Sequence, residues 1–383
     1  MKKSLLYFYL HNENSGLSYD PFEYRFMKLL SKKYALGVVF FKRRSEIAEG
    51  IKNIPRSATL VALNDFPFPR SIPKPFRWPL ETLTRTLIVA IFVRRIRASL
   101  VFANWLTRSN GFYCAVARVR PLLVAVWGSD VLIEAQKSRV LRMFGKLTVR
   151  LANAIIVDSE VQRRAVVDLG CPETKICCFP WGIDLERFKP QTRYAPRRSQ
   201  GRGKIVICTR KHFPIYGVEY LLRAIPRVLL EVKNAKFLLT GNGPLLDYHK
   251  HLAKQLSLEK YVKFLGFVPN DSLPDLLNTA NVYVSPSLSD GSSASLMEAL
   301  GCGLPVVVTK ISANQEWIKD GENGFLVPPC DSEALARSIT QLLRDPELCT
   351  KMKNANLELA RKRANWAVNS RVLEECIERA VRE

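Results

Sequence analysis

Asp290 and Glu298 stand eight residues apart across a helix start, in the run Pro286-Ser-Leu-Ser-Asp-Gly-Ser-Ser-Ala-Ser-Leu-Met-Glu298. The run reads as a strand end, a tight glycine turn and a short helix. Gly301-Cys-Gly303 then stops the helix before the apolar stretch Pro305-Val-Val-Val308. A helix start offers unpaired backbone N–H groups and the positive end of the peptide dipoles, and together these attract phosphate. A carboxylate on either side of that phosphate can accept hydrogen bonds from sugar hydroxyls, so the spacing suits a nucleoside-diphosphate sugar. The same pair is otherwise a turn residue and a solvated helix carboxylate, both common at helix starts. Two features favour chemistry: Glu298 lies among small and apolar residues, and the strand that follows returns straight into a core.

The elements that must position these residues alternate along the chain. Strands are predicted at 5–10, 38–41, 59–63, 100–103, 122–127, 154–158 and 176–179, with helices at 21–33, 139–152 and 160–169. A hydrophilic stretch from Pro190 to Gly203, with two prolines, two glycines and no periodicity, then reads as a linker. After it, strands are predicted at 205–208, 236–240, 262–265, 282–285, 305–308 and 325–327, with helices at 218–232, 245–256, 331–343 and 346–364. Repeated strand–helix alternation with uniformly apolar strands means parallel sheets covered on both faces. The fold class is therefore α/β with two doubly wound, Rossmann-like domains and a cleft between the carboxyl ends of their strands. The expected division is a first domain over 1–190, a linker over 191–203, a second domain over 204–366 and a final helix over 367–383, a candidate for crossing back to the first domain.

Composition narrows the class. The 383 residues are 47% hydrophobic and 24% charged, globular rather than disordered values. Nine cysteines without metal-site spacing are expected to be reduced, mostly buried thiols of a cytosolic protein. Met1-Lys-Lys-Ser before the 5–10 strand does not read as a secretory signal, and the apolar run 87–93 is far shorter than the roughly 20 residues of a membrane span.

The net charge of +23 is uneven: residues 1–200 hold 34 Lys/Arg against 15 Asp/Glu, whereas 201–383 hold 24 against 20. Between Phe66 and Arg120 there are ten basic residues and one acid, Glu81, interleaved with Phe68, Phe76, Trp78 and Phe92. Such a stretch suits an anionic membrane surface; it is otherwise a solvated basic helix face, or an apolar run buried in the core with flanking charges. A nucleic-acid partner is not expected, because no nucleic-acid-binding motif accompanies the charge.

The second half resembles the donor domain of the retaining glycosyltransferase family 4, glycosyl transferases group 1, whose fold is the two-Rossmann GT-B architecture. Five pieces carry the resemblance in order: Ile207-Cys-Thr-Arg-Lys211 before Gly217, Leu239-Thr-Gly-Asn-Gly-Pro244, Val262-Lys-Phe-Leu-Gly-Phe-Val-Pro269, the Asp290…Glu298 pair, and Asp320-Gly-Glu-Asn-Gly324. Upstream, Val126-Trp-Gly-Ser-Asp130 and Pro180-Trp-Gly-Ile-Asp-Leu-Glu-Arg-Phe188 resemble first-domain landmarks. The resemblance runs from about residue 100 to 366; before it, only Gly16 matches, where the family often has a glycine pair.

The resemblance implies catalytic roles for Arg210, Asp290 and Glu298. Arg210 grips the diphosphate, Glu298 accepts from ribose hydroxyls, and Asp290 lies near the transferred sugar. It implies donor contacts from Lys211, Gly241, Gly243, Phe267, Val268, Gly291, Ser292, Ser293 and Ala294, and an acceptor side at Gly16, Asn104, Trp127 and Asp130. It also implies retention of configuration without a protein nucleophile, and no catalytic metal or other cofactor.

Departures stand at Asp290, where the family usually has Glu, and at Ser292-Ser293, where it has Phe-Gly. Tyr216 replaces a basic residue, which leaves Lys211 as a substitute half of the diphosphate clamp. Trp127 stands where many members carry His. Asp130 is alternatively a helix cap. His249-Lys-His251 reads as a solvated helix face, and His11 and Trp105, each following a strand, are secondary cleft candidates.

The expected function is hexosyl transfer from a nucleoside-diphosphate sugar to a lipid-linked or polysaccharide acceptor, peripheral on the inner face of the plasma membrane. The alternatives are a nucleotide-sugar 2-epimerase of the same architecture and a degenerate nucleotide-sugar-binding subunit.

Overall fold

The computed structural model describes residues 4–8, 21–40, 57–62, 74–107, 110–191 and 204–382. Gly16 and His11 lie outside them, as does most of the predicted linker. The chain divides into one unit of 1–179 with 370–383 and a second of 180–369.

The first unit holds a seven-stranded parallel sheet in the order β3-β2-β1-β4-β5-β6-β7. Its strands are β1 (Ser4–Phe8), β2 (Ala35–Phe40), β3 (Thr59–Ala62), β4 (Leu100–Asn104), β5 (Leu122–Ala125), β6 (Ala154–Val157) and β7 (Ile176–Cys178). Val, Ile, Leu and Ala fill them because both faces are covered. On β1, Leu6 and Phe8 join one core cluster while Tyr7 stacks on Phe102 at 5.2 Å, the two-residue alternation of a strand buried on both sides.

The strand order reverses between β1 and β4, and right-handed crossovers therefore place the helices after β3, β4 and β5 in one layer. These are Lys74–Ile96, Asn110–Val116 and Arg139–Leu151. The first two had no predicted counterpart.

The second unit holds a six-stranded parallel sheet, β10-β9-β8-β11-β12-β13. Its strands are β8 (Lys204–Cys208), β9 (Ala235–Thr240), β10 (Val262–Gly266), β11 (Val282–Ser285), β12 (Val306–Thr309) and β13 (Phe325–Val327). Val307 packs into the cluster on one face of this sheet, and Val306 and Val308 into the cluster on the other. Here the order reverses between β8 and β11, and in such sheets ligands bind at the carboxyl ends beside the reversal.

Two expected boundaries move. Residues 180–190 belong to the second unit, where Ile183 pairs with Asn365 and Phe188 is fully buried beside Leu296 and Leu300. The Pro180–Phe188 motif, matched to a first-domain landmark, is thus part of the other unit; chain order alone concealed it. Residues 370–383, from the helix named as a candidate for crossing back, join the first unit. Leu373, Cys376 and Ile377 are buried there, and Glu374 pairs with Lys33 at 2.8 Å. The expectation that all thiols are reduced also fails, because Cys376 reaches the edge strand β7 and forms a disulfide with Cys177.

Candidate functional site

The reversal between β8 and β11 sets two loops side by side. The β8 loop carries Arg210, and the β11 loop carries Asp290 to Ser293 before the Ala294–Gly301 helix. Gly217 locks them together: its φ is +57°, and a Cβ there would stand 2.3 Å from the Pro286 carbonyl oxygen. Leu288 N–H also donates to the Ile215 carbonyl at 2.8 Å. On the other flank Gly243 lies so close to His212 that a Cβ would approach its carbonyl to 2.4 Å, and Gly241, at φ +94°, presses on the Arg210 carbonyl. The two glycines of Leu239–Pro244 therefore serve the close approach of two backbones.

Arg210 is buried at the centre. Nη1 donates to Ser293 Oγ and Ser295 Oγ, each at 2.8 Å, and Nη2 donates to Asp290 Oδ2 at 2.6 Å. Its guanidinium lies 4.1 Å above the centre of the Tyr216 ring. Nε is buried and, among the described residues, has no hydrogen-bond partner. Burial, the largest influence, would lower the Arg210 pKa, but the Asp290 carboxylate together with Tyr216, Tyr283 and Cys208 outweighs it and the net shift is upward. Burial raises the Asp290 carboxyl above its ordinary value, while Arg210 and the Gly291 N–H pull against it. The expected bidentate grip therefore has both Nη groups already engaged by protein oxygens.

Ser293 caps the Ala294–Gly301 helix by accepting from the Leu296 N–H at 3.4 Å. The helix is buried from Ser295 to Gly301, so Glu298 is buried with it, its Oε1 accepting from Asn270 Nδ2 at 3.4 Å. Ser292 Oγ accepts from Trp317 Nε1 at 3.1 Å. Phe267 and Val268 follow β10, with Phe267 exposed and Val268 half-buried; Lys211 is exposed beside Arg210.

Sequence profiles of two families match this chain: "Glycosyl transferase 4-like domain" over residues 55–182 and "Glycosyl transferases group 1" over 194–358. The second unit is a group 1 glycosyl transferase domain. An uncharacterised glycosyltransferase of Methanocaldococcus jannaschii is 31% identical over 206 residues, 52% of each chain. A GDP-mannose-dependent alpha-(1-6)-phosphatidylinositol monomannoside mannosyltransferase of Mycolicibacterium smegmatis is 27% identical over 59% of this chain and 62% of its own. The matches thus span about half to three-fifths of these relatives' lengths. Among solved structures, Anabaena HepE in complex with UDP superposes with a TM-score of 0.77 at 21% identity, covering 97% of this chain and 99% of that one. Sucrose-phosphate synthase from Thermosynechococcus elongatus gives 0.78 at 19% identity, covering 98% of each. These two likenesses show the shared GT-B fold.

Arg210, Gly241, Gly243 and residues 290–294, expected to contact a donor, thus lie around the β8–β11 reversal, whereas Asn104 and Asp130 are buried and hydrogen-bonded within the first unit. Asp130 is fully buried and accepts from the backbone N–H groups of Leu106, Trp127 and Val131 at 3.0, 3.2 and 3.1 Å. Burial pushes its carboxyl up to about 6. It ties the β4 and β5 loops together. Asn104 is likewise buried, donating to Tyr7 Oη at 3.0 Å and to the Phe8 carbonyl at 3.4 Å, which joins the ends of β4 and β1. Trp127 is half-buried, and the Trp105 ring donates to Glu134 at 3.1 Å.

Sequence reading missed the closest imidazole pair. His249 does not lie on a solvated face: it is buried, its Nδ1 2.7 Å from His212 Nδ1, under the loop that bears Arg210. Its i+3 and i+4 neighbours Leu252 and Ala253 are the signal that places it on the buried side of the helix.

Proposed function

We propose that the chain transfers a hexosyl group from a nucleoside-diphosphate sugar to a lipid-linked or polysaccharide acceptor, with retention of anomeric configuration, on the inner face of the plasma membrane. The observation that carries this reading is the convergence of Arg210, the Ser293-capped helix start and buried Glu298 at the strand-order reversal. The donor class is supported by the UDP bound in the HepE structure and by the GDP-mannose dependence of the mycobacterial relative.

In this reading the diphosphate competes with Asp290 for the Arg210 guanidinium, since planar guanidinium groups bind such oxygens through paired hydrogen bonds. Asp290, released, accepts from a hydroxyl of the transferred sugar. Glu298 accepts from the ribose hydroxyls, and the backbone N–H groups of Gly291 to Ala294 face the phosphate and sugar. Phe267 and Val268 present backbone to the base. The acceptor oxygen bonds to the anomeric carbon as the carbon–phosphate oxygen bond breaks, and the acceptor proton passes to the departing phosphate. Arg210 stabilises the charge that develops there, and the nucleoside diphosphate leaves.

The test is release of nucleoside diphosphate from a panel of UDP- and GDP-sugars incubated with membrane lipid extract, with the product's anomeric configuration read by NMR. Release from one donor is expected, lowered by about 10²–10³ in Arg210→Ala and Glu298→Ala. The Arg210–Asp290 ion pair favours one rival, a nucleotide-sugar-binding subunit. Donor binding without release under any acceptor condition would establish that rival.

A further inference from the structure

The helices after β3 and β5 carry a surface that the donor site does not explain. On Lys74–Ile96 the side chains of Thr86, Val89 and Val93 are buried, and the opposite face exposes Leu80, Leu83, Leu87 and Ile91. That spacing is one helical stripe. Leu87 is 54% exposed and Ile91 67%, and Arg94 and Arg95 extend the stripe. On Arg139–Leu151, Gly145, Thr148 and Val149 turn inward. Its exposed side chains are Val140, Met143 and Leu147 alternating with Arg139, Lys146 and Arg150.

Both helices flank the short Asn110–Val116 helix in the same layer, and Val116, Arg118 and Arg120 are exposed at its end. Among the described residues, the exposed side chains of the two longer helices are apolar or basic, with no acid. Water is a poor solvent for such a face, and another protein's surface is ordinarily mixed in charge. A bilayer with anionic headgroups matches it on both counts: acyl chains accept the Leu, Ile and Met side chains, and the arginines and lysine reach the phosphates. Among the described residues no helix is long and apolar enough to cross a membrane, so contact is made along a surface.

We infer that the outer face of this helical layer docks on an anionic phospholipid bilayer, with the Leu83–Leu87–Ile91 and Val140–Met143–Leu147 stripes lying in the headgroup region together. The inference deepens the membrane partner of the proposed function and draws its second helix from outside the basic 66–120 segment.

The test needs no sugar donor, so its failure and that of the transferase reading are separable. The chain is sedimented with vesicles of phosphatidylcholine alone and of phosphatidylcholine mixed with phosphatidylglycerol. Binding to the mixed vesicles should exceed binding to the neutral ones by about tenfold or more. Leu87→Glu/Ile91→Glu and, separately, Met143→Glu/Leu147→Glu should each reduce it by a further factor of about ten. The four positions are exposed, so circular dichroism and the thermal midpoint should not change. Absence of vesicle binding, or binding by both double variants undiminished from that of the parent chain, would overturn the inference. So would self-association of the chain that the variants relieve without any vesicle binding, which would make the face an interface between copies.

Discussion

Tyr216 stands where the family resemblance implies a cation, and the residue turns the expected loss into a platform: its ring carries the Arg210 guanidinium at 4.1 Å. A lysine there would place two cations in contact. Tyr216→Phe should therefore retain stability and UDP binding, Tyr216→Leu should lose about 1–2 kcal/mol of stability, and Tyr216→Lys should lose more stability than that. Urea denaturation and calorimetric titration with UDP check the series, and Tyr216→Lys behaving like Tyr216→Phe would refute the platform role. The imidazole pair gives a second expectation. Burial, with His249 and Lys250 adding to it, lowers His212 to about 4, below its ordinary 6.5. The stability this residue lends is thus complete above pH 6.5 and is lost as pH falls toward 4, by about 3 kcal/mol in all. The urea midpoint should drop between pH 7.5 and 4.5, and His212→Leu/His249→Leu should show a smaller drop. Arg210, Asp290 and Glu298 were legible because acid and base spacing survives in one dimension. The Arg210–Asp290 bond and the imidazole pair were not, since each joins loops whose separation in sequence carries no signal.

At the scale of elements, the helix start at Ser293 and the loop lock at Gly217 hold the site's shape. Ser293→Ala removes the cap and one of the Arg210 oxygens, and should cost about 1 kcal/mol while releasing Arg210. Gly217→Ala should cost more, because a positive φ and a carbonyl 2.3 Å from the new Cβ act together. Thermal midpoints of the two variants decide the order, and a Gly217→Ala midpoint at or above that of Ser293→Ala would contradict it. The strands were legible throughout, since Val- and Ile-rich runs such as Val306–Thr309 have few other uses. The Lys74–Ile96 helix was not. Its apolar residues lie on both faces, Val89 and Val93 inward and Leu87 and Ile91 outward, which reads as an undivided run. The outward stripe that hid the helix is the one assigned here to the bilayer.

At the scale of the whole molecule the two units differ in connectivity as well as charge. Residues 180–369 are continuous in sequence and contain two core clusters of their own, one on each face of their sheet. Expressed alone, this segment should be soluble and unfold in one cooperative transition; a non-cooperative melt would show that it depends on the rest of the chain. The first unit lacks that independence, because residues 370–383, which follow the second unit in sequence, complete it. This has a consequence for biosynthesis. At roughly 5–20 residues per second, the ribosome takes roughly 10–40 s to make the intervening segment. Throughout that interval β7 has an unmet thiol at Cys177, and the seats of Leu373, Cys376 and Ile377 stay open beside the Pro21–Lys33 helix. The unit that begins to fold first is therefore the last to close.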